Sequence, residues 1–419
     1  MKGMRVDFSI VILMVVGGWG LWWLERSGLF IQNLGQLSGL TGILLMAANF
    51  ILAARGKWLE KKSGGLGRMY HDHHWIGATA WVVLLAHPLL LSGQYLGVSV
   101  VLAMRRLLPD YGQYPVWLGI GALLLMITLL SITFFAKWEY QKWKLSHRLL
   151  GVTLILAGLH VLLIPGNLSG NPWLRGYLLL VVGVGIYAWI YRIWMQSTAG
   201  TKAEYRIKKI RKLGENMTEI IMKPAGAGIR YQPGQFVFVD FDITGMAGEQ
   251  HPFSITTGGG NGELGIAVKN LGDFTGKMMD LKEGTRVWIE GPYGKFAQKF
   301  VKAKKQVWIG GGIGITPFVG MARGLTPKQI EKLDIYYVVS ERKEAVLVPE
   351  GVGTRVWVSK ERGRITGNEI AKEIEDLRER KIMLCGPKPM MISLRRQLEE
   401  LGVKPEDVIT EDFALYGDY

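Results

Sequence analysis

Residues 70–93 read YHDHHWIGATAWVVLLAHPLLLSG, and residues 145–165 read LSHRLLGVTLILAGLHVLLIP. Each is an apolar run with a histidine near both ends: His73 and His87 in the first, His147 and His160 in the second. The members of a pair are 14 residues apart in one run and 13 in the other. At the rise of an α-helix that is roughly 20 Å along the axis, so the four imidazoles fall into two levels. A metal-binding side chain inside a bilayer marks a functional site by default.

The surroundings make both runs membrane segments. A bilayer span takes about 20 apolar residues. Six stretches qualify, near 7–24, 34–54, 75–96, 116–136, 147–164 and 173–195. The expectation is a multi-domain membrane protein with a six-helix bundle over residues 1–198. The cationic start followed by an apolar run resembles a signal peptide. No small-x-small cleavage site follows Trp22, Trp23 and Leu24, so it reads as an uncleaved first helix. Arg55, Lys57, Lys61, Lys62 and Arg68 crowd one connection, and Lys137, Lys142, Lys144 and Arg148 crowd another. The remaining connections are poorer in cations, with Arg105 and Arg106 running against the trend. The positive-inside bias then predicts a multi-pass plasma-membrane protein with both termini cytoplasmic. The same flanks account for much of the formal charge of +15. No basic stripe interleaved with aromatics stands apart from them, so nucleic acid is not an expected partner. One cysteine, Cys385, excludes an intramolecular disulfide and a thiolate-bound cluster.

On this orientation the third and fifth segments run the same way. His73 and His147 lie toward the cytoplasm, and His87 and His160 toward the outside. A single membrane histidine is most simply a hydrogen-bonding group, but two matched pairs on co-directional helices point to two b-type haems, one in each leaflet. In an ideal helix a step of 14 returns within about 40° of its start, whereas a step of 13 does not. The second segment is therefore expected to bend, bulge or approach obliquely. His74 competes with His73 as the inner ligand. Gly77 and Gly151, each four residues beyond a histidine, favour His73 if they let a porphyrin edge approach.

Near residue 200 the pattern changes. Strand-like segments at 203–211, 218–223, 235–241, 253–257, 264–269 and 286–290 alternate with Gly/Pro turns, which predicts a small antiparallel β-barrel over residues 199–302. From Gln306 the order is strand, glycine loop, helix. Further strands are expected at 334–339, 355–358 and 382–384, and helices near 316–324, 366–380 and 388–401. This is an α/β doubly wound nucleotide-binding pattern over residues 303–419. The loop Gly310-Gly311-Gly312-Ile313-Gly314-Ile315-Thr316-Pro317 lets backbone N–H groups approach a pyrophosphate at a helix start.

Five motifs follow in order: His251-Pro252-Phe253-Ser254, Gly272-Asp273-Phe274-Thr275-Gly276, Gly291-Pro292-Tyr293-Gly294, the glycine loop, and Cys385-Gly386-Pro387. Asp273 or Thr275 is able to cap the helix that the second opens. With the paired histidines, these motifs resemble the NADPH oxidase and ferric reductase family, in which a ferric-reductase-like transmembrane domain is fused to a ferredoxin-NADP reductase-type module. The likeness is closest to its compact prokaryotic members and covers about residues 35–419.

The resemblance implies FAD against His251, Pro252, Phe253 and Ser254, with Ser254 near the reactive flavin nitrogen. Gly272, Asp273, Phe274 and Thr275 would meet the FAD pyrophosphate, and Lys269 is a candidate phosphate or ribose contact. Gly311, Gly312, Gly314, Thr316 and Pro317 would hold the nicotinamide nucleotide, with Cys385, Gly386 and Pro387 bordering its ring. Phe413, in Glu411-Asp412-Phe413, would stack on the flavin where nicotinamide enters, a place Tyr416 or Tyr419 is also able to take. After the second parallel strand, Ser340 and Arg342 favour NADPH over NADH while Glu341 opposes it; Arg364 is a weaker candidate for the 2′-phosphate.

The implied activity is electron transfer from cytosolic NADPH through FAD and two haems to an acceptor outside. Dioxygen, giving superoxide, is the first reading, because the compact architecture adds no regulatory segment. A ferric chelate is the alternative, since some oxidase members carry an extra histidine one turn beyond the outer ligand, where this chain has Leu91. A reading of another class, an ion or proton pathway with a regulatory nucleotide domain, explains intramembrane histidines but not their paired spacing. No obligatory protein partner is evident, and no acid–base triad is needed.

Overall fold

The computed structural model describes residues 6–23, 30–108, 112–136, 138, 140–165, 171–197, 202–244, 246–259, 262–294, 296, 305–349 and 351–411. The chain divides into two compact units, Met1–Met195 and Gln196–Tyr419.

The first unit is helical: α1 (Val6–Trp23), α2 (Phe30–Ala53), α3 (Lys57–Ser63), α4 (Leu66–Gly93), α5 (Val100–Leu107), α6 (Tyr114–Phe135), α7 (Tyr140–Arg148), α8 (Leu150–Leu163) and α9 (Pro172–Ser197). Among the described residues, five stretches are long and apolar enough to cross a membrane: Phe30–Ala53, Leu66–Gly93, Tyr114–Phe135, Gln141–Leu163 and Pro172–Trp194. The segment read near 7–24 forms α1, whose apolar stretch, Ser9–Trp23, is shorter.

Helix α2 lies close to α4 because its facing residues are small. A Cβ on Gly35, Gly39 or Gly42 would meet Leu91, His87 or Leu84 at 2.4–2.6 Å. Small residues at such a stripe are what let membrane helices approach. The fourth span is not one helix. Between α7 and α8 the backbone tightens, with Leu149 N–H on Ser146 O at 3.1 Å and Val152 N–H on Leu149 O at 2.9 Å. These i to i−3 bonds interrupt the helix between His147 and His160, in the segment where a bend, a bulge or an oblique approach was expected. Trp189 of α9 donates its indole N–H to Arg148 O at 2.9 Å, satisfying a carbonyl at the break.

The second unit begins with β1 (Ala203–Leu213), β2 (Met217–Pro224), β3 (Phe236–Phe241), β4 (His251–Ser254), β5 (Leu264–Lys269), the short α10 (Asp273–Lys277) and β6 (Arg286–Tyr293). The strands form one antiparallel sheet in the order β4-β3-β6-β1-β2-β5. Its two end strands meet: Ile255 bridges Ile266, and Thr256 N–H donates to Gly265 O at 2.8 Å. The sheet thus closes into a barrel, which removes exposed edges. Tyr205, Ile220, Val237, Val239, Ile266 and Ile289 fill it.

The chain continues with β7 (Gln306–Gly311), α11 (Thr316–Ala322), β8 (Leu333–Val339), β9 (Thr354–Val358), α12 (Gly367–Glu373), β10 (Lys381–Cys385), α13 (Lys388–Glu400) and β11 (Val408–Glu411). Its five-stranded sheet has the order β11-β10-β7-β8-β9, all parallel. β7 and β8 are almost wholly buried, as strands covered on both faces must be. The strand order reverses between β7 and β10, and a ligand crevice forms outside the carboxyl ends of strands at such a point. The helix expected over 366–380 is shorter, Gly367–Glu373, followed by a tight turn at Leu377–Glu379.

Candidate functional site

In the membrane unit, His73 and His87 come from α4, His147 from α7 and His160 from α8. The structure brings them together in two pairs. The ring centres of His73 and His147 are 6.1 Å apart, and those of His87 and His160 are 6.5 Å apart. A first-row metal–imidazole bond is about 2 Å, and a ring centre lies roughly 1 Å beyond its nitrogen. Two imidazoles on opposite sides of one metal therefore hold their centres about 6 Å apart. His74 is turned elsewhere, packing edge-on against Trp75 and Phe134.

All four rings are also oriented through Nδ1. His87 donates to Gly35 O at 2.7 Å, His160 to Pro115 O at 2.7 Å and His73 to Asn49 O at 3.2 Å. His147 Nδ1 lies 3.4 Å from the hydroxyl of Thr133, which itself donates to Leu129 O at 2.8 Å. Spending Nδ1–H in this way fixes the tautomer and leaves Nε2 with the lone pair that a metal requires. Room is provided by glycines on the facing helices. A Cβ on Gly39 would stand 2.5 Å from His87 Nδ1, and one on Gly119 would stand 2.8 Å from His160 Nδ1. Gly77 and Gly151 do not serve the role expected of them. The first faces the Asn49 amide, and the second makes room for the Trp189 indole, 2.0 Å from where a Cβ would lie. A cavity of about 400 Å³ opens beside His87 and His160, bordered also by Gln36, Gln94 and Arg106. The donor set and its oriented rings fit haem.

In the barrel, His251 pairs with Val239 and Ser254 with Phe236 across β3–β4. His251 Nε2 lies 2.9 Å from Glu249 Oε1, and its ring centre is 3.9 Å from that of Phe274. The segments 251–254 and 272–275 therefore meet. Thr275 caps α10 from inside its first turn rather than from the flanking position: its hydroxyl oxygen accepts from Leu271 N–H at 2.9 Å and Gly272 N–H at 3.0 Å. Asp273 sits in the first turn, where a carboxylate is favourable. Lys269 already has a carboxylate, Glu344, at 3.0 Å.

The glycine loop meets Cys385-Gly386-Pro387, because β7 and β10 are neighbours with Gly310 opposite Cys385. A Cβ on Gly314 would lie 2.5 Å from Cys385 O, and one on Gly311 would lie 2.7 Å from Met390 and 2.9 Å from Pro387. These two glycines are required for packing. Gly312, with φ +54° and open space around its Cβ position, is the one that faces outward. Thr316 is buried and donates to Ile313 O at 2.9 Å, while Pro317 occupies the first turn of α11. The Cys385 thiol is 0% exposed and packs in the core, so its sulfur is not presented to a nicotinamide ring, as the sequence reading expected of this residue. Phe413, Tyr416 and Tyr419 lie outside the described residues. Glu411 Oε1 lies 3.3 Å from the Cβ position of Gly294.

At the end of β8, Ser340 is exposed and Arg342 is paired with Glu361 at 2.8 Å. Glu341 is held by Lys360 at 2.5 Å and Lys343 at 3.4 Å, and hydrogen bonding to Lys360 first, then Lys343, keeps its carboxyl below the usual range. The Tyr337 hydroxyl is pushed up to about 12 by burial and by the nearby Glu344 carboxylate.

One joint had no signal in the sequence. Glu219 of β2 is buried, and Arg323, just past α11, donates to its Oε1 at 2.8 Å and to Thr256 O at 3.0 Å. Thr256 also donates to Glu219 at 3.1 Å. Beside it, a Cβ on Gly320 would lie 2.1 Å from Ile255 O. The helix that follows the glycine loop is thus seated on the segment that follows Ser254.

Residues 38–158 match the family described as "Ferric reductase like transmembrane component", and residues 202–297 match "FAD-binding domain". The chain is 30% identical over 219 residues to a probable dihydroorotate dehydrogenase B (NAD(+)) electron transfer subunit of Thermococcus kodakarensis, covering 51% of this chain and 87% of that protein. It is 25% identical over 206 residues to respiratory burst oxidase homolog protein E of Arabidopsis thaliana and 24% identical over 230 residues to dual oxidase 1 of Homo sapiens. Those matches cover 43% and 52% of this chain but only 21% and 14% of the relatives' own lengths. Among solved structures, the FAD/NAD-binding domain of a Vibrio cholerae nitric oxide dioxygenase matches with a TM-score of 0.45 and 24% identity, over 50% of this chain and 97% of that one. A ferric-reductase-like transmembrane component at residues 38–158 is thus followed by a FAD-binding domain at residues 202–297, and the chain is homologous to the NADPH oxidases.

Proposed function

We propose that the chain moves electrons across the plasma membrane, from cytosolic NADPH through FAD and two b-type haems to dioxygen at the outer face, giving superoxide. The observation that carries this reading is the arrangement of four imidazoles in two facing pairs, each ring spending Nδ1 on a hydrogen bond. When bound, the flavin accepts a hydride and each haem passes on one electron at a time. His73 and His147 would ligate the inner iron, and His87 and His160 the outer one. Asn49 O, Thr133, Gly35 O and Pro115 O orient these rings. His251, Pro252, Phe253 and Ser254, with Phe274 packed against His251, would hold the flavin. Gly312, Thr316, Gly386 and Pro387 would receive the nicotinamide nucleotide, and Phe413 would guard the flavin face. Ser340 and Arg342, with Arg364, would favour the 2′-phosphate, and the Glu361 pairing of Arg342 would have to open for that contact. The proposed domains are residues 1–198, 199–302 and 303–419, with α1 as a sixth span and both termini cytoplasmic.

A ferric chelate is the second reading of the acceptor. Leu91 packs against Gly35, so the turn beyond His87 carries no polar group. Turnover with NADPH, using cytochrome c as reporter, with and without superoxide dismutase and with a ferric chelate as competitor, separates the two. Dismutase-sensitive reduction is expected. Dismutase-insensitive reduction with preference for the chelate would transfer the assignment to ferric reduction.

A further inference from the structure

Helix α5 sits between the ends of two spans, six residues after α4 closes at Gly93 and six before α6 opens at Tyr114. Ser92, near the end of α4, donates its hydroxyl to Ala103 O at 2.6 Å and ties the helix down. Its inward face is Ala103, which is buried, with Leu107 beside the cavity. Its outward face repeats every four residues: Val100, Met104 and Leu108, with Val101 alongside, are 58–68% exposed. Leu96 and Val98 extend this apolar face along the connection from α4. A helix on a watery surface turns its polar face outward. This one exposes apolar side chains beside its two arginines. Arg105 flanks the apolar face, one turn beyond Val101. Arg106 lies over the Tyr95 ring at 5.0 Å and borders the His87–His160 cavity.

We propose that α5 is an interfacial helix seated in phospholipid, in the leaflet that holds His87 and His160, with Arg105 on a lipid phosphate and Arg106 held over the cavity as part of a lid. The occupant follows from continuity and charge. Helix α5 is tied through Ser92 to α4, a membrane span on which Leu89 is exposed, and Tyr114 is exposed at the start of the next span. An apolar stripe with a cationic edge fits the boundary between acyl chains and phosphates. A bilayer covers all these side chains at once without a further protein. The lid clause rests on the proposed function, because the cavity matters only if the acceptor is reduced there. The lipid seat does not.

The test uses the full chain in phospholipid nanodiscs. Spin labels are placed through Met104→Cys on α5, Leu124→Cys on the exposed side of α6 and Gly112→Cys in the connection before α6. Cys385 is buried, and unsubstituted protein taken through the same labelling gives the blank. The ratio of oxygen to nickel-chelate collisions at position 104 is expected to be several-fold that at 112 and to approach that at 124. A ratio equal to that at 112 would overturn the lipid seat. So would spin–spin broadening at 104 that vanishes on dilution with unlabelled chains, which would assign the face to a second copy. Arg105→Glu is expected to lower the ratio at 104 at least twofold in anionic lipid; no change would remove the phosphate contact. Val101→Asp with Met104→Asp should alter haem reoxidation by the acceptor at least threefold, with flavin reduction by NADPH unchanged. An unaltered reoxidation rate beside a normal label ratio overturns the lid alone. Haems in unsubstituted protein that no acceptor reoxidises would instead overturn the functional reading.

Discussion

Replacing Arg323 by alanine tests the joint that seats the glycine-loop helix on the flavin strand. Glu219 has a side chain 2% exposed, and Arg323 Nη1 reaches it at 2.8 Å. Removing the cation leaves a buried carboxylate with the Thr256 hydroxyl at 3.1 Å and with Arg211 at 3.6 Å, half exposed. A hydrogen bond to a charged group contributes about 1.5–3 kcal/mol. Arg323 is itself 22% exposed, so solvent screening discounts the pair toward about 2 kcal/mol. For a unit of this size, each kcal/mol moves the midpoint by about 2–4 °C, so Arg323→Ala should lower the unfolding transition by about 4–8 °C. Glu219→Gln should cost less, because the guanidinium it leaves behind reaches water while the carboxylate does not. Thermal release of flavin fluorescence from the full chain reads both. Anaerobic stopped-flow reduction by NADPH should be slower in Arg323→Ala at unchanged flavin content. A shift below about 2 °C, or a larger loss for Glu219→Gln than for Arg323→Ala, would refute the reasoning.

Other perturbations follow from the same geometry. Gly119→Val should displace the His160 ring from Pro115 O and weaken occupancy of the outer haem about 10-fold or more, read from the Soret band relative to flavin. Gly151→Ala should expel the Trp189 indole, costing about 1–3 kcal/mol of overpacking as well as the bond to Arg148 O, whereas Trp189→Phe should lose only about 1 kcal/mol. Thermal loss of the Soret band in detergent gives the ranking. Asp334 is partly buried, which raises its pKa, but hydrogen bonds from Arg355 and Arg380 outweigh this and hold it below the ordinary carboxylate value. Its contribution to stability is therefore complete above the unfolded value near 3.8 and is lost as pH falls through the depressed folded one. Asp334→Asn should flatten that acid limb in a denaturation series from pH 5 downward.

The spans were legible because the runs are long and apolar, and the strand segments because they alternate between turn residues. The paired histidines were legible too, together with the need for a bend, a bulge or an oblique approach between His147 and His160. Where the helix is interrupted was not, because a break at Leu149 depends on the Trp189 indole, 40 residues on in another helix. The same limit explains Gly77 and Gly151. A glycine four residues past a ligand carries no mark of which neighbour comes close, and the glycines opposite the outer histidines, Gly39 and Gly119, belong to other helices. Gly311 and Gly314 sit in a phosphate-loop pattern, yet their space is taken by the Cys385-Gly386-Pro387 turn of an adjacent strand. Glu219 and Arg323 are 104 positions apart and meet only once the barrel and the parallel sheet are packed together.

The most direct measurement is electron delivery across a sealed membrane. Full-length protein is reconstituted into phospholipid vesicles with ferric cytochrome c trapped inside, and NADPH is added outside. The trapped cytochrome is expected to become reduced, and the double variant His87→Ala/His160→Ala should stop this while flavin reduction by NADPH continues. Trapped cytochrome that stays oxidised while an acceptor on the NADPH side is reduced would contradict electron transfer through the two histidine pairs.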